Sequence, residues 1–193
     1  MTKRQRPRGY IGSQHETRGS CIRSVFEVLK LPEQVLGVEL CRRMKGIDPN
    51  AWYPVELLLD LTERLDKAVG SYGLLQTGRT VFQIVHRERG RPVASGARDV
   101  LDSMDNLYHY GNRGVGIGGW KLLRIEPGKA EIEKTTPHHC MMEQGMLSAA
   151  LQSVGCPGVI SQRECLRNGA GACVYTISSA ISDERWLGSN PAP

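Results

Sequence analysis

"RECLRNGAGACVYTI" (Arg163–Ile177) is the stretch from which the rest of the chain is read. "VISQREC" and "CVYTISS" alternate in the manner of strands, and the glycine-containing "LRNGAGA" joins them as a hairpin loop. A hairpin needs glycine, but it does not need a cysteine at each mouth of its loop. If the two strands pair, Cys165 and Cys173 sit nearly opposite one another, with Cβ atoms ~4.5–5.5 Å apart. That separation suits two thiolates sharing a zinc ion through bonds of ~2.3 Å. A disulfide is close to possible geometrically, but a reducing compartment opposes it. The start of the preceding helix, "TPHHCMMEQG", offers His138, His139, Cys140 and Glu143 to complete a four-ligand site. Cys140 and Glu143, three residues apart, share a helix face. The spacing excludes a zinc ribbon or finger. Two other readings stand beside the metal: small buried hydrophobes, and a thiol redox pair, which lacks both a CxxC motif and a visible basic neighbour.

Outward from the hairpin, the period of the pattern divides the chain. "GGWKLLRIEPGKAEIEKTTP" reads as two strands about "EPGK", and "HHCMMEQGMLSAALQSVG" as a helix ending at Gly155. The N-terminal half is helical: "SCIRSVFEVLKL", "PEQVLGVELCRRM", a helix near Pro54 carrying Leu57, Leu58, Leu61 and Leu65, a weaker one through Gly73 and Gly78, and "ASGARDVLDSMDNLYHYGNRG". The expected fold is α+β, a helical N-terminal half followed by a β-β-α-β-β antiparallel sheet covered by helices. Residues 1–19 read as a basic disordered tail, 20–180 as one α+β domain, and 181–193 as a loose C-terminal tail.

The chain has 193 residues and a net charge of +5, with Lys3, Arg4, Arg6 and Arg8 supplying four of the positive charges. The remainder is close to neutral and has no basic stripe with interleaved aromatics, so nothing points to nucleic acid. No apolar run approaches the length of about 18 residues that a membrane span needs, and the basic N-terminus lacks the apolar core of a secretory signal. A cytoplasmic protein with mostly reduced cysteines is the expectation.

The Cys165–Cys173 hairpin followed by "VYTIS", and the helix "HCMMEQGMLSAALQSVG" before it, resemble the end of vinyl-4-reductase-like domains. These belong to a superfamily with heme nitric-oxide-binding domains and the Bet-type TRAPP subunits. The length and "DPNAWYPVELLLDL" also resemble an uncharacterised family from myxobacteria and relatives. The specific match spans residues 115–178. It implies a sensory, ligand-binding and often dimeric domain, in some relatives a sensor of aromatic effectors ahead of an ATPase. It further implies zinc held by a cysteine before the helix, the hairpin pair, and a glutamate three residues before the first hairpin cysteine. Cys140, Cys165 and Cys173 match, but the glutamate position is Gln162, leaving His139 or Glu164 as substitutes. No GxxxxGK[ST] motif is present, so an ATPase is not part of this chain.

Phe82, Met104, Tyr108, Trp120, Met142 and Met146 are candidate walls of a pocket for a hydrophobic or aromatic molecule, with His109 as a further functional histidine. Each is also an ordinary core candidate. Gly114-x-Gly116-x-x-Gly119 precedes a strand instead of opening a helix, so it is not a dinucleotide loop. Asp102, Asp105 and His109 read as a solvated helix face. Heme ranks behind zinc: His86, His109 and His139 are available to iron, but no YxSxR motif for porphyrin carboxylates is present. No nucleophile–base pair stands out, so the expectation is a non-enzymatic ligand-binding homodimer. The alternatives are a scaffold subunit acting through a protein partner and a tetrapyrrole-binding protein.

Overall fold

The computed structural model describes residues 14–88 and 95–188. It is a mixed α+β fold. The helices are α1 (Gly19–Glu27), α2 (Pro32–Leu36), α3 (Val38–Lys45), α4 (Val55–Glu88), α5 (Ala97–Gly111) and α6 (Cys140–Ser153). The C-terminal half follows the expected β-β-α-β-β order. Strands β4 (Trp120–Glu126), β5 (Lys129–Lys134), β6 (Val159–Glu164) and β7 (Cys173–Ser178) form an antiparallel sheet ordered β4-β5-β7-β6, with α6 between β5 and β6 in sequence.

Three features depart from the sequence expectation. A second, three-stranded sheet joins β1 (Glu16–Arg18), β2 (Trp52–Pro54) and β3 (Asn112–Arg113) in the order β2-β1-β3. Residues 14–19, expected in the disordered tail, therefore belong to the fold: Thr17 is buried, and the His15 Nε2 lies 2.8 Å from the Val115 carbonyl oxygen. Residues 1–13 lie outside the described residues. The C-terminal segment is not loose either, because Trp186 is wholly buried in the sheet-side core.

Two apolar cores share α6. On the sheet side, Leu147, Ala150 and Leu151 pack with Val100, Leu101, Met104 and Tyr108 of α5 and with Trp120, Ile132, Tyr175 and Ile177 of the sheet. On the helical side, Met142 packs with Leu58, Leu61, Leu65 and Leu74 of α4 and with Ile22, Val25, Cys41 and Met44. Helix α4 turns at Gly70, whose φ of 70° is open to glycine and costly for other residues. Its second half crosses α6 backbone against backbone. A Cβ on Gly78 would lie 1.9 Å from the Met142 oxygen, and one on Gly145 would lie 2.0 Å from the Leu75 oxygen. Gly78, one of the two glycines that weaken the helical pattern, is therefore one that lets the two helices meet. Among the described residues, no helix is long and apolar enough to cross a membrane.

Candidate functional site

The sheet–α6 junction is built by strand alternation. On β5, Ala130, Ile132 and Lys134 face inward, every second residue along the strand. Lys134 pairs in register with Cys173, the first residue of β7, which also faces inward. A bulge between Gln162 and Glu164 shifts β6 so that Glu164 faces Val174, bringing Cys165 to the hairpin mouth beside Cys173. The loop then closes through a 3₁₀ turn over Leu166–Asn168, with Gly169 in the left-handed region at φ 95°. Cys140 opens α6, and His139 caps that helix, its side chain accepting from the Met141 amide.

These placements converge three sulfurs. The Cys140 Sγ lies 3.4 Å from that of Cys173 and 3.6 Å from that of Cys165, and all three are within 4.8 Å of one another. Cys140 and Cys173 are buried, while Cys165 is half-buried. The Cys173 Sγ also accepts the Leu166 amide at 3.3 Å. The convergence expected from the hairpin is present, but the expected fourth ligand is not. His139 turns away, with Nδ1 engaged by Met141 and Nε2 3.5 Å from the Asp66 carboxylate. Glu164 points outward, toward Arg163 at 3.6 Å.

Lys134 is the residue that sequence reading passes over. Its side chain is wholly buried, and its ammonium donates to the His138 carbonyl at 2.7 Å, approaches the Cys140 Sγ at 3.8 Å, and pairs with Glu143. Thr136 donates to both Glu143 oxygens at 2.8 Å, and the Tyr175 hydroxyl donates to the Cys140 carbonyl at 3.0 Å. Burial disfavours the Lys134 charge, but the Glu143 carboxylate and the cysteine sulfurs outweigh it and hold the ammonium protonated. Burial pushes the Glu143 carboxyl up, against the pull of Lys134 and Thr136. A hydrogen bond from the Cys173 thiol, with help from Lys134 and against burial, brings Cys140 down to about 4. The same bond and burial push Cys173 up. The arrangement is a buried Cys140 thiolate beside the Cys173 thiol, the Cys165 sulfur and a lysine.

The expected pocket walls do not gather. Phe82, Met104, Tyr108 and Trp120 belong to the sheet-side core, whereas Met142 and Met146 pack in the helical one. Met104, Tyr108 and Trp120 are only 6–7% exposed and pack together in the sheet-side core. Tyr108 donates to the Ile117 carbonyl at 2.8 Å, and Trp120 stacks on Tyr175. His109 lies on the outer face of α5, 46% exposed and 3.5 Å from Asp105. Asp105 also has a structural task, since its Oδ1 accepts the Trp120 amide at 2.8 Å and so ties α5 to the start of β4.

The remaining imidazole, His138, is buried with its Nε2 3.0 Å from the Asn112 Oδ1 and its ring edge-on to Tyr108. Its Nδ1 has no hydrogen-bond partner among the described residues. Burial, reinforced by the Lys134 charge, pulls His138 down to about 3. Burial and Arg167 bring His139 down to about 4. Both rings are therefore neutral across the physiological range.

Comparison with known proteins extends this picture. No protein-family model matches the chain. No curated protein matches it either. Solved structures do. An H-NOX (heme nitric-oxide-binding) protein from S. oneidensis in the Fe(II) ligation state aligns over 88% of this chain and 99% of its own, at 14% identity and a TM-score of 0.58. Fe(II) unliganded H-NOX from K. algicida aligns over 86% of this chain and 97% of its own, at 10% identity and a TM-score of 0.60. A third H-NOX structure, solved to probe heme distortion in that family, aligns over 86% and 94%, at 12% identity and a TM-score of 0.57. The fold is that of the heme nitric-oxide-binding domains.

This finding corrects the cofactor expectation. Zinc was placed first and heme last, but the proteins sharing the fold are heme nitric-oxide-binding proteins, and none of them is described by zinc. His109, His138 and His139 are not placed to hold a heme iron. An iron ligand must aim a free nitrogen into an apolar cavity large enough for the macrocycle. His109 faces solvent and Asp105, and His139 is held by Met141 and Asp66. The His138 Nδ1 is buried without a hydrogen-bond partner among the described residues, and the nearby Lys134 ammonium disfavours a second cation. The side chain of His86 lies outside the described residues.

Proposed function

We propose that this chain is a non-catalytic sensory domain that binds a small ligand, built on the heme nitric-oxide-binding fold. One observation carries the reading: the likeness to H-NOX proteins runs over nearly the whole of both chains. Those proteins are described by the ligation state of their iron, so ligand binding is the use to which the fold is put there. The narrower kinship with vinyl-4-reductase-like domains, a homodimeric state and a cytoplasmic setting are parts of the proposal supported by the sequence resemblance. The Cys140, Cys165 and Cys173 convergence agrees with that kinship.

A tetrapyrrole is the second reading, favoured by the heme of the fold neighbours over a free aromatic ligand. It requires a cavity between α5 and the sheet, where Met104, Tyr108 and Trp120 share one core. The absorption spectrum of protein purified from heme-replete cells, taken before and after hemin addition, separates the two readings. A Soret band at about one heme per chain establishes the tetrapyrrole. Colourless protein whose melting temperature rises saturably with small aromatic compounds supports sensing without heme. Protein that responds to neither hemin nor those compounds, but co-purifies with a stoichiometric protein partner, contradicts the sensory reading in favour of a scaffold.

A further inference from the structure

We propose that Cys140 and Cys165 are a peroxide-oxidisable pair that closes to a disulfide. The inference goes beyond ligand sensing and does not depend on which ligand the domain binds. It starts from the sulfur geometry. The two Sγ atoms are 3.6 Å apart, so they need to approach by roughly 1.5 Å to reach the ~2.05 Å bond length of a disulfide. Of the three cluster sulfurs, only that of Cys165 belongs to a half-buried residue, so a small oxidant meets it first. Cys140 has the Lys134 ammonium at 3.8 Å and the Cys173 sulfur at 3.4 Å. Lys134 is the basic neighbour that the sequence did not reveal. Cys173 already has its sulfur occupied by the Leu166 amide.

The chemistry balances with a hydroperoxide as the oxidant. The Cys165 thiol is oxidised by hydrogen peroxide to a sulfenic acid, releasing one water. The Cys140 sulfur then attacks that of Cys165, the S–O bond breaks, and the departing hydroxide takes up the Cys140 proton to leave as a second water. Two thiols and one peroxide give one disulfide and two waters. Transient bonds of this kind are the ones that reducing compartments tolerate. The consequence reaches α4: Arg167, two residues past Cys165, pairs with Glu63, so closing the bond pulls on the contact between the hairpin loop and that helix.

The test uses the full chain, reduced, freed of reductant, and exposed to hydrogen peroxide. Free thiols are then alkylated, and the protein is analysed by intact mass and non-reducing peptide mapping. The expected product has lost two hydrogens and two alkylation sites, contains a Cys140–Cys165 cross-linked peptide, and reverts with dithiothreitol. Cys140→Ser and Cys165→Ser each abolish the cross-link, whereas Cys41→Ser leaves it intact. Cys173→Ala, which keeps both partners, still forms the same cross-link. A cross-link through Cys173, oxidation of each thiol separately to sulfinic acid, or a stoichiometric metal ion that holds the three sulfurs and blocks the reaction overturns the proposal.

Discussion

The ammonium of Lys134 lies 3.8 Å from the Cys140 sulfur and is paired on its other side with Glu143, all inside the protein. A buried pair of this kind is costly to break and inexpensive to replace whole. Lys134→Met leaves the Glu143 carboxylate without its cation and is expected to destabilise the protein by about 3–5 kcal/mol. Adding Glu143→Leu removes the orphaned charge and recovers most of that loss. Chemical denaturation of the two variants measures both effects. Equal instability of the single and double variants contradicts the pairing.

Acid sensitivity follows from His138. Its folded pKa is about 3, against an ordinary 6.5. Below pH 6.5 the unfolded chain takes up the proton before the folded one does. The stabilisation is thus complete above pH 6.5 and is lost as the pH falls toward 3. In that window stability falls by about 1.4 kcal/mol per pH unit for this one group. His139, at about 4, adds to the slope over the upper part of the window. Urea midpoints measured from pH 7 to pH 4 are expected to fall steadily, and His138→Gln is expected to flatten the curve by one proton. An unchanged slope in that variant places the titration elsewhere.

Gly145→Ala tests the α4–α6 crossing. In an ordinary helix interior, alanine is more stable than glycine by up to about 1 kcal/mol. Here the new methyl would meet the Leu75 carbonyl oxygen at 2.0 Å. The sign reverses, with a loss of about 1–3 kcal/mol from overpacking. A higher melting temperature for this variant means that the helices do not touch there.

Trp186 tests the docking of the C-terminal segment. The side chain is wholly buried although it lies within a stretch that reads as a loose tail. Trp186→Ala is expected to cost about 3–5 kcal/mol in a thermal or denaturant melt. A cost near zero restores the loose-tail description.

The parts of the molecule that were legible in the sequence are those governed by local period. The β-β-α-β-β order followed from alternation around "EPGK" and "LRNGAGA" and from the helical pattern of α6, and the cysteine convergence followed from hairpin pairing. What escaped depended on distant contacts. Strands of two or three residues, as in β1–β3, carry too little alternation to be seen. Lys134 reads as a surface charge until its register beside Ile132 and Ala130 is noticed, which places it on the inner face. His109 and Asp105 share a helix face, yet only the folded chain reveals that Asp105 serves the Trp120 amide. The pocket residues were chosen for their apolar character, which cannot say which of two cores each one fills.

A thiolate at Cys140, held by Lys134 and Cys173, is the centre of the site. Ultraviolet thiolate absorbance, followed from about pH 5 to pH 9 in the reduced protein and in Cys140→Ser, tests it most directly. One thiolate per chain is predicted to persist down to about pH 5 and to vanish in the variant, since Cys140 lies at about 4 instead of 9.0. Absorbance that develops only above about pH 8 in both proteins, as for ordinary cysteines, would contradict it.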